Sequence, residues 1–294
     1  MNRFLLILAT FLVASSCNTD SEDPNQDLTR DMEIIDAYLT SIGVPESQIL
    51  RDDISGVRFV FYEYGQGMAP SNGQTVVYDI VGAVVSGTSV GLPFINNIES
   101  KKIETVTPEG LNYGLRSMLA GTVASIYVPA RWGYGTAGNT TLGVPADAVL
   151  RYDVELEQVQ RTAAQQTQYN TDALAIQTYL NAQEIEATEH ESGFWYTVDT
   201  EGTGTSPTPY DAVTFDYKLK TLTNPNTILE SGNLPDRFVW EFVQGLRIGM
   251  QLMQVGDTYT FYLPSGLCYG PDGKGAIPAN ANLIFEISLK SIKQ

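Results

Sequence analysis

Hydrophobic and polar positions follow two rhythms along this chain, and the rhythms occur twice in the same order. Met32, Ile35, Tyr38, Leu39 and Ile42 recur at the spacing of a helix face, and Ala173, Ile176, Tyr179 and Leu180 do so again. Each helical stretch is followed by period-2 runs rich in Val, Tyr and Phe. Gly and Pro punctuate these runs, which predict antiparallel strands joined by tight turns. Residues 110–118 and 245–253 break the alternation with matching Gly-Leu patterns and predict one short helix inside each set of strands. The expected class is α+β: two units, each an antiparallel sheet wrapped around a short helix and preceded by an extra helix.

The repeat runs through most of both halves. Ser55-Gly56-Val57 matches Ser192-Gly193-Phe194, and Gly65-Gln66-Gly67 matches Gly202-Thr203-Gly204. Gly121 matches Gly256, and Tyr134-Gly135 matches Tyr269-Gly270. Asp36-Ala37-Tyr38-Leu39 pairs with Gln177-Thr178-Tyr179-Leu180. The predicted units are residues 31–160 and 163–294. Residues 160–170 carry Gln, Thr and Ala in place of β-branched residues, so the link is expected to be semi-rigid and partly helical.

Residues 1–17 put Arg3 before a short apolar run, then Ala14-Ser15-Ser16-Cys17, the layout of a secretory signal peptide. A membrane-spanning helix needs about 20 apolar residues, and this run is shorter. The small residues before Cys17 resemble a bacterial lipobox. That implies acylation of Cys17, an exported lipoprotein, and an outer-membrane anchor with the body on the periplasmic or cell-surface side. The alternative is a cleaved signal with an incidental Cys. Residues 18–30 are acidic and polar and are expected to form a flexible tether. Their charge either solvates the chain or resembles a surface-export signal.

A net charge of −17 argues against nucleic acid as a partner, since binding phosphate needs Lys and Arg at the surface. With one His and one Cys beyond Cys17, neither a His/Cys metal site nor a Ser-His-Asp hydrolase has the material it needs. No metal and no cofactor are expected. His190, between Glu189 and Glu191, reads as a surface residue. Cys268 reads as a small buried hydrophobe, with a reactive thiol as the second reading.

The segment from Tyr269-Gly270 through Gly273, Ile277-Pro278 and the alternating run 283–289 resembles the C-terminal half of an FKBP-type prolyl isomerase, and residues 134–156 give a second copy. The resemblance implies two FKBP-like domains, a proline pocket, and peptidyl-prolyl isomerase activity toward proline-containing segments of exported proteins. It places Tyr217, Glu230 and Tyr269 as the polar groups of the second unit. It places Leu229, Phe242, Val243, Leu246, Ile277 and Phe285 as substrate-binding walls. Leu229 and Leu246 stand where the family carries aromatics, and Glu230 stands where it carries Asp. Phe238 and Trp240 lie close by without a fixed counterpart.

In the first unit the same resemblance puts Ile80 at the Tyr217 position and Leu111 at the Leu246 position, and finds no acid in residues 86–93. Tyr134 and Tyr152 remain, and Trp132 either covers or fills the pocket mouth. The first unit is therefore expected to be a degenerate copy. Two rivals stay open: a non-catalytic peptide- or partner-binding module, and a purely structural lipoprotein. An open pocket on which Tyr217, Glu230 and Tyr269 converge separates the first reading from both.

Overall fold

The computed structural model describes residues 26–293. The signal peptide, Cys17 and most of the tether lie outside those residues. Two antiparallel sheets follow one another along the chain. The first is built from β1 (Ile49–Arg51), β2 (Arg58–Glu63), β3 (Thr75–Ser86), β4 (Ser89–Val90), β5 (Ile95–Lys102), β6 (Thr122–Val128) and β7 (Val149–Gln160). Its spatial order is β1-β2-β6-β7-β3, with β4 and β5 both on the outer side of β3. The second comprises β8 (Thr188–Glu189), β9 (Trp195–Thr200), β10 (Ala212–Thr221), β11 (Glu230–Phe238), β12 (Thr258–Leu263) and β13 (Leu283–Lys293), ordered β8-β9-β12-β13-β10-β11. Apart from β4, which has no counterpart, the two orders are the same.

Alternation decides the layers, because successive side chains leave a strand on opposite faces. Tyr78 and Ile80 of β3 and Ala124, Ile126 and Val128 of β6 bury one face of the first sheet with Leu111 and Leu115 of α2 (Glu109–Ser117). Tyr127 and Val149 turn to the other face and meet Ile35, Tyr38 and Leu39 of α1 (Gln26–Ser41). The second sheet repeats this division. Phe261, Phe285 and Ile287 pack with Leu246 and Ile248 of α4 (Gln244–Gly249). Tyr262 and Ile284 pack with Ile176 and Leu180 of α3 (Ala163–Ala182). Each extra helix thus covers the back of its own sheet. Seven fully buried aromatics, Tyr78, Tyr127, Tyr152 and Phe59 in the first unit and Phe194, Phe215 and Phe261 in the second, carry much of the apolar burial.

The tether is shorter than its composition suggests. Residues 26–30 belong to α1, where Leu28 is buried and Asp31 accepts a hydrogen bond from the Ala130 amide at 2.8 Å. One apolar anchor and one buried carboxylate outweigh the polar character around them. The link between units is ordered too. β7 ends at Gln160, and Thr162 opens α3 with a capping box in which Thr162 and Gln165 satisfy each other's amides.

Candidate functional site

The second sheet and α4 enclose a cavity of about 480 Å³. Tyr217, Glu230, Phe242, Val243, Leu246, Tyr269 and Phe285 all line it, so seven of the nine residues named from the sequence come together. Leu229 and Ile277 do not line it. Leu229 is exposed beside β11, its amide bonded to the Leu219 carbonyl, and Ile277 is buried in the second unit's core. Phe215, Leu219, Leu234 and Ile287 complete the apolar walls; Arg237, Glu241 and Lys274 add a charged rim. Sequence reasoning missed Phe215 and Leu219, although both share the Tyr217 face of β10 by alternation.

Strand register explains the polar pair. Tyr217 stands opposite Gly232 on β11, and Leu219 stands opposite Glu230. With no side chain at Gly232, the Tyr217 ring reaches diagonally to Glu230, and its hydroxyl donates to Glu230 Oε1 at 2.5 Å. That charged hydrogen bond, with burial adding to it, pushes the Tyr217 pKa up to about 12. Phe215 and Phe242 meet edge to face with centroids 5.2 Å apart, closing the cavity beneath the pair.

A loop carries the other tyrosine. After β12, Pro264 leads into two short 3-10 turns, Ser265–Leu267 and Gly270–Asp272, with Tyr269 between them. Gly273 follows at φ +63°, where a Cβ would lie 2.4 Å from the Ile277 carbonyl oxygen. The Tyr269 hydroxyl has no hydrogen-bond partner among the described residues, and burial raises its pKa. Lys274 Nζ lies 5.3 Å from the centre of its ring. Tyr269 is therefore an uncommitted donor at an apolar cavity.

The flanking residues are accounted for. Phe238 and Trp240 stack on each other at 6.2 Å on the surface, and neither plugs the cavity. Burial pushes the Cys268 thiol well above its ordinary value, which keeps it protonated. His190 is not a free surface residue. It stacks on Phe194 at 4.6 Å, its Nδ1 accepts the Ser192 amide, and burial lowers its pKa. Among the described residues no group of three His, Cys, Asp or Glu side chains could hold a metal ion.

The first sheet corrects one alignment. Gly82 pairs with Ile95 as Leu219 pairs with Glu230, and the Phe94 amide bonds to the Gly82 carbonyl as that of Leu229 bonds to Leu219. Phe94-Ile95, not residues 86–93, is thus the counterpart of Leu229-Glu230. Loop length hid this, since the excursion through β4 shifts the match. Phe94 meets Tyr152 edge to face at 5.9 Å, and a Cβ on Gly82 would be 2.9 Å from the Phe94 ring. Ile80 takes the Tyr217 position, and no acid replaces Glu230. Trp132 turns away to the Ser55 carbonyl, bonded through Nε1 at 2.8 Å.

An antiparallel sheet over a short helix, with an aromatic-walled cavity between them, is the frame on which these residues meet. The FKBP-type peptidyl-prolyl cis-trans isomerase profile matches residues 66–157 and 203–290, more than half of the chain, and the chain belongs to that family. It is 36% identical over 116 residues to the FKBP-type isomerase FkpA of Aeromonas hydrophila, covering 39% of this chain and 43% of that protein. It is 36% identical over 107 residues to the outer membrane protein MIP of Legionella longbeachae, covering 35% of this chain and 46% of that one. The match to the FKBP-type 22 kDa isomerase of Escherichia coli is 28% identical over 225 residues, covering 74% of this chain and 98% of that one. The chain thus spans less than half the length of the first two of these relatives.

Proposed function

We propose that the second unit isomerises X–Pro bonds in exported polypeptides, with the 480 Å³ cavity as its proline pocket. The observation that carries this reading is the meeting of Tyr217, Glu230 and the unpartnered Tyr269 hydroxyl at one open, aromatic-walled cavity. Family membership supports it. The barrier to be lowered is about 18–20 kcal/mol and comes from amide resonance. A planar amide is more dipolar than a twisted one, so apolar walls that strip water from it favour the twisted form. Phe215, Phe242, Leu246 and Phe285 supply those walls. Tyr269 donates to a carbonyl of the bound peptide, and Glu230, oriented by Tyr217, holds the flanking chain. No covalent intermediate is required.

In this reading residues 31–160 form a degenerate copy, in which Phe94 occupies the space above Gly82 and the polar pair is missing. Cys17 anchors the chain in an outer membrane through acyl groups. The name of the Legionella relative supports that placement. No described helix is long and apolar enough to cross a membrane.

The test is the cis-to-trans rate of short X-Pro peptides with the full chain. Acceleration is expected, with Tyr269→Phe lowering kcat/KM about tenfold, the value of one hydrogen bond of about 1.4 kcal/mol. A folded full chain that leaves the rate unchanged would sink the catalytic reading.

A further inference from the structure

A second cavity of about 520 Å³ lies between the two units, lined on one side by Arg51, Asp52, Tyr113 and Arg116 and on the other by Tyr210, Trp240 and Arg247. Its charge is out of keeping with the chain. Acidic residues outnumber basic ones 34 to 17, yet three arginines and a single carboxylate line this groove. Arg51 is paired with Asp36 and Glu46, and Asp52 accepts the Tyr113 hydroxyl at 2.7 Å.

The other two arginines make no ion pair among the described residues, although Glu104 stands near enough to Arg116 to feel its charge. Arg116 bonds only to the neutral amides Asn112 and Asn72, at 2.8 Å each. Arg247 is more exceptional. Its Nε is fully buried without a hydrogen-bond partner, and its guanidinium makes no ion pair among the described residues. Taking even a half-buried cation partly out of water without a partner is costly, so a chain rich in carboxylates that leaves this one unpaired keeps a site open.

We propose that this groove binds a carboxylate-bearing segment of an extended polypeptide, with Arg247 and Arg116 gripping the carboxylate and Trp240 and Tyr113 covering the chain. A peptide is favoured over a small anion by the aromatic lining and by what separates the two cavities. Leu246 faces the proline pocket and Arg247, the next residue, faces the groove; Trp240 lines the groove while Glu241 and Phe242 line the pocket. A polypeptide whose proline sits in the pocket has the groove on the far side of one short segment. The groove thus selects clients with an acidic residue near the proline, an inference that rests on the proline-pocket reading for the position of that residue and on the arginines for its charge.

The experiment measures binding of fluorescein-labelled proline peptides to the full chain by anisotropy, with Glu placed at successive positions on either side of the proline and Gln as the control. At one or more positions the Glu peptide is expected to bind about tenfold more tightly than its Gln twin, the value of a charge-assisted pair. Arg116→Gln and Arg247→Met are each expected to remove most of that ratio without changing kcat/KM on a minimal X-Pro tetrapeptide. Equal binding of Glu and Gln peptides at every position, or a ratio that survives in both folded variants, overturns the proposal. If the Glu preference holds while no isomerisation is seen, the groove stands and the catalytic reading falls. Inorganic phosphate competing as well as the Glu peptide would show a simple anion site and would also overturn it.

Discussion

Tyr217 and Glu230 lie diagonally across two strands, and the carboxylate holds the phenol's proton. With its pKa pushed up to about 12, Tyr217 stays protonated through the whole range in which peptide assays are run. The rate of the full chain is therefore expected to be flat from pH 7 to about 10. Glu230→Gln removes the charge that raises the phenol, so its pKa falls back toward the ordinary value of about 10. A pH–rate profile of that variant should show activity declining on the alkaline side where the parent does not; identical profiles would disprove the coupling. These site residues were legible in the sequence through the resemblance to the FKBP family, whose pattern the chain follows at these positions. Phe94 and Ile95 were not, because the β4 excursion changes the loop length before them. Arg247 was not either, since nothing in a sequence marks a cation that folding will leave without a partner.

Each extra helix does more for its unit than cover a sheet. Asp31 of α1 and Asp172 of α3 are both almost fully buried, and both accept the amide that follows a strand-ending proline. Asp172 takes the Ser265 amide at 3.0 Å, the Ser265 hydroxyl at 2.6 Å and the Gln168 side chain at 2.8 Å. Ser265 opens the loop that carries Tyr269, so α3 fixes the base of that loop. The repeat was visible in the periodic face of both helices. The two aspartates keep the spacing of that match, yet a polar residue on an amphipathic helix reads as solvent-facing until its buried partner is known. Asp172→Ala is expected to cost about 2–3 kcal/mol, because it strands the buried Ser265 hydroxyl and leaves the Ser265 amide to Asn282 alone. Urea unfolding of the full chain measures this. KM for X-Pro peptides should rise as well if the helix positions Tyr269, and an unchanged KM would confine Asp172 to stability.

The two units are joined by more than the α3 link. Tyr210 of the second unit packs against Phe61 of the first at 4.7 Å and Tyr64 at 6.1 Å, and its hydroxyl bonds to the Ser117 carbonyl at 3.3 Å. Leu119 of the first unit is buried in the second unit's core, where the repeat match, Gln254, has no such task. Gln244 donates to the Ala69 carbonyl, and the Ser192 hydroxyl donates to the Gln66 carbonyl at 2.5 Å. The first unit, with Ile80 and Ile95 where the second carries Tyr217 and Glu230, also forms one wall of the groove between the units. If this contact couples the units, removing its largest side chain should uncouple them. Tyr210→Ala deletes a half-buried aromatic and its hydrogen bond, a loss of about 2–3 kcal/mol at the contact. Calorimetry of the parent chain is expected to give one transition and of the variant two, since each unit retains its own core. The tetrapeptide rate should be unchanged, because Tyr210 does not line the proline pocket. The preference for Glu-bearing peptides should fall, because Tyr210 lines the groove. A single transition in the variant would place the coupling in Leu119 and the α3 link instead. Loss of the tetrapeptide rate along with the preference would mean that the two cavities are not separable and that the first unit supports the second unit's pocket directly.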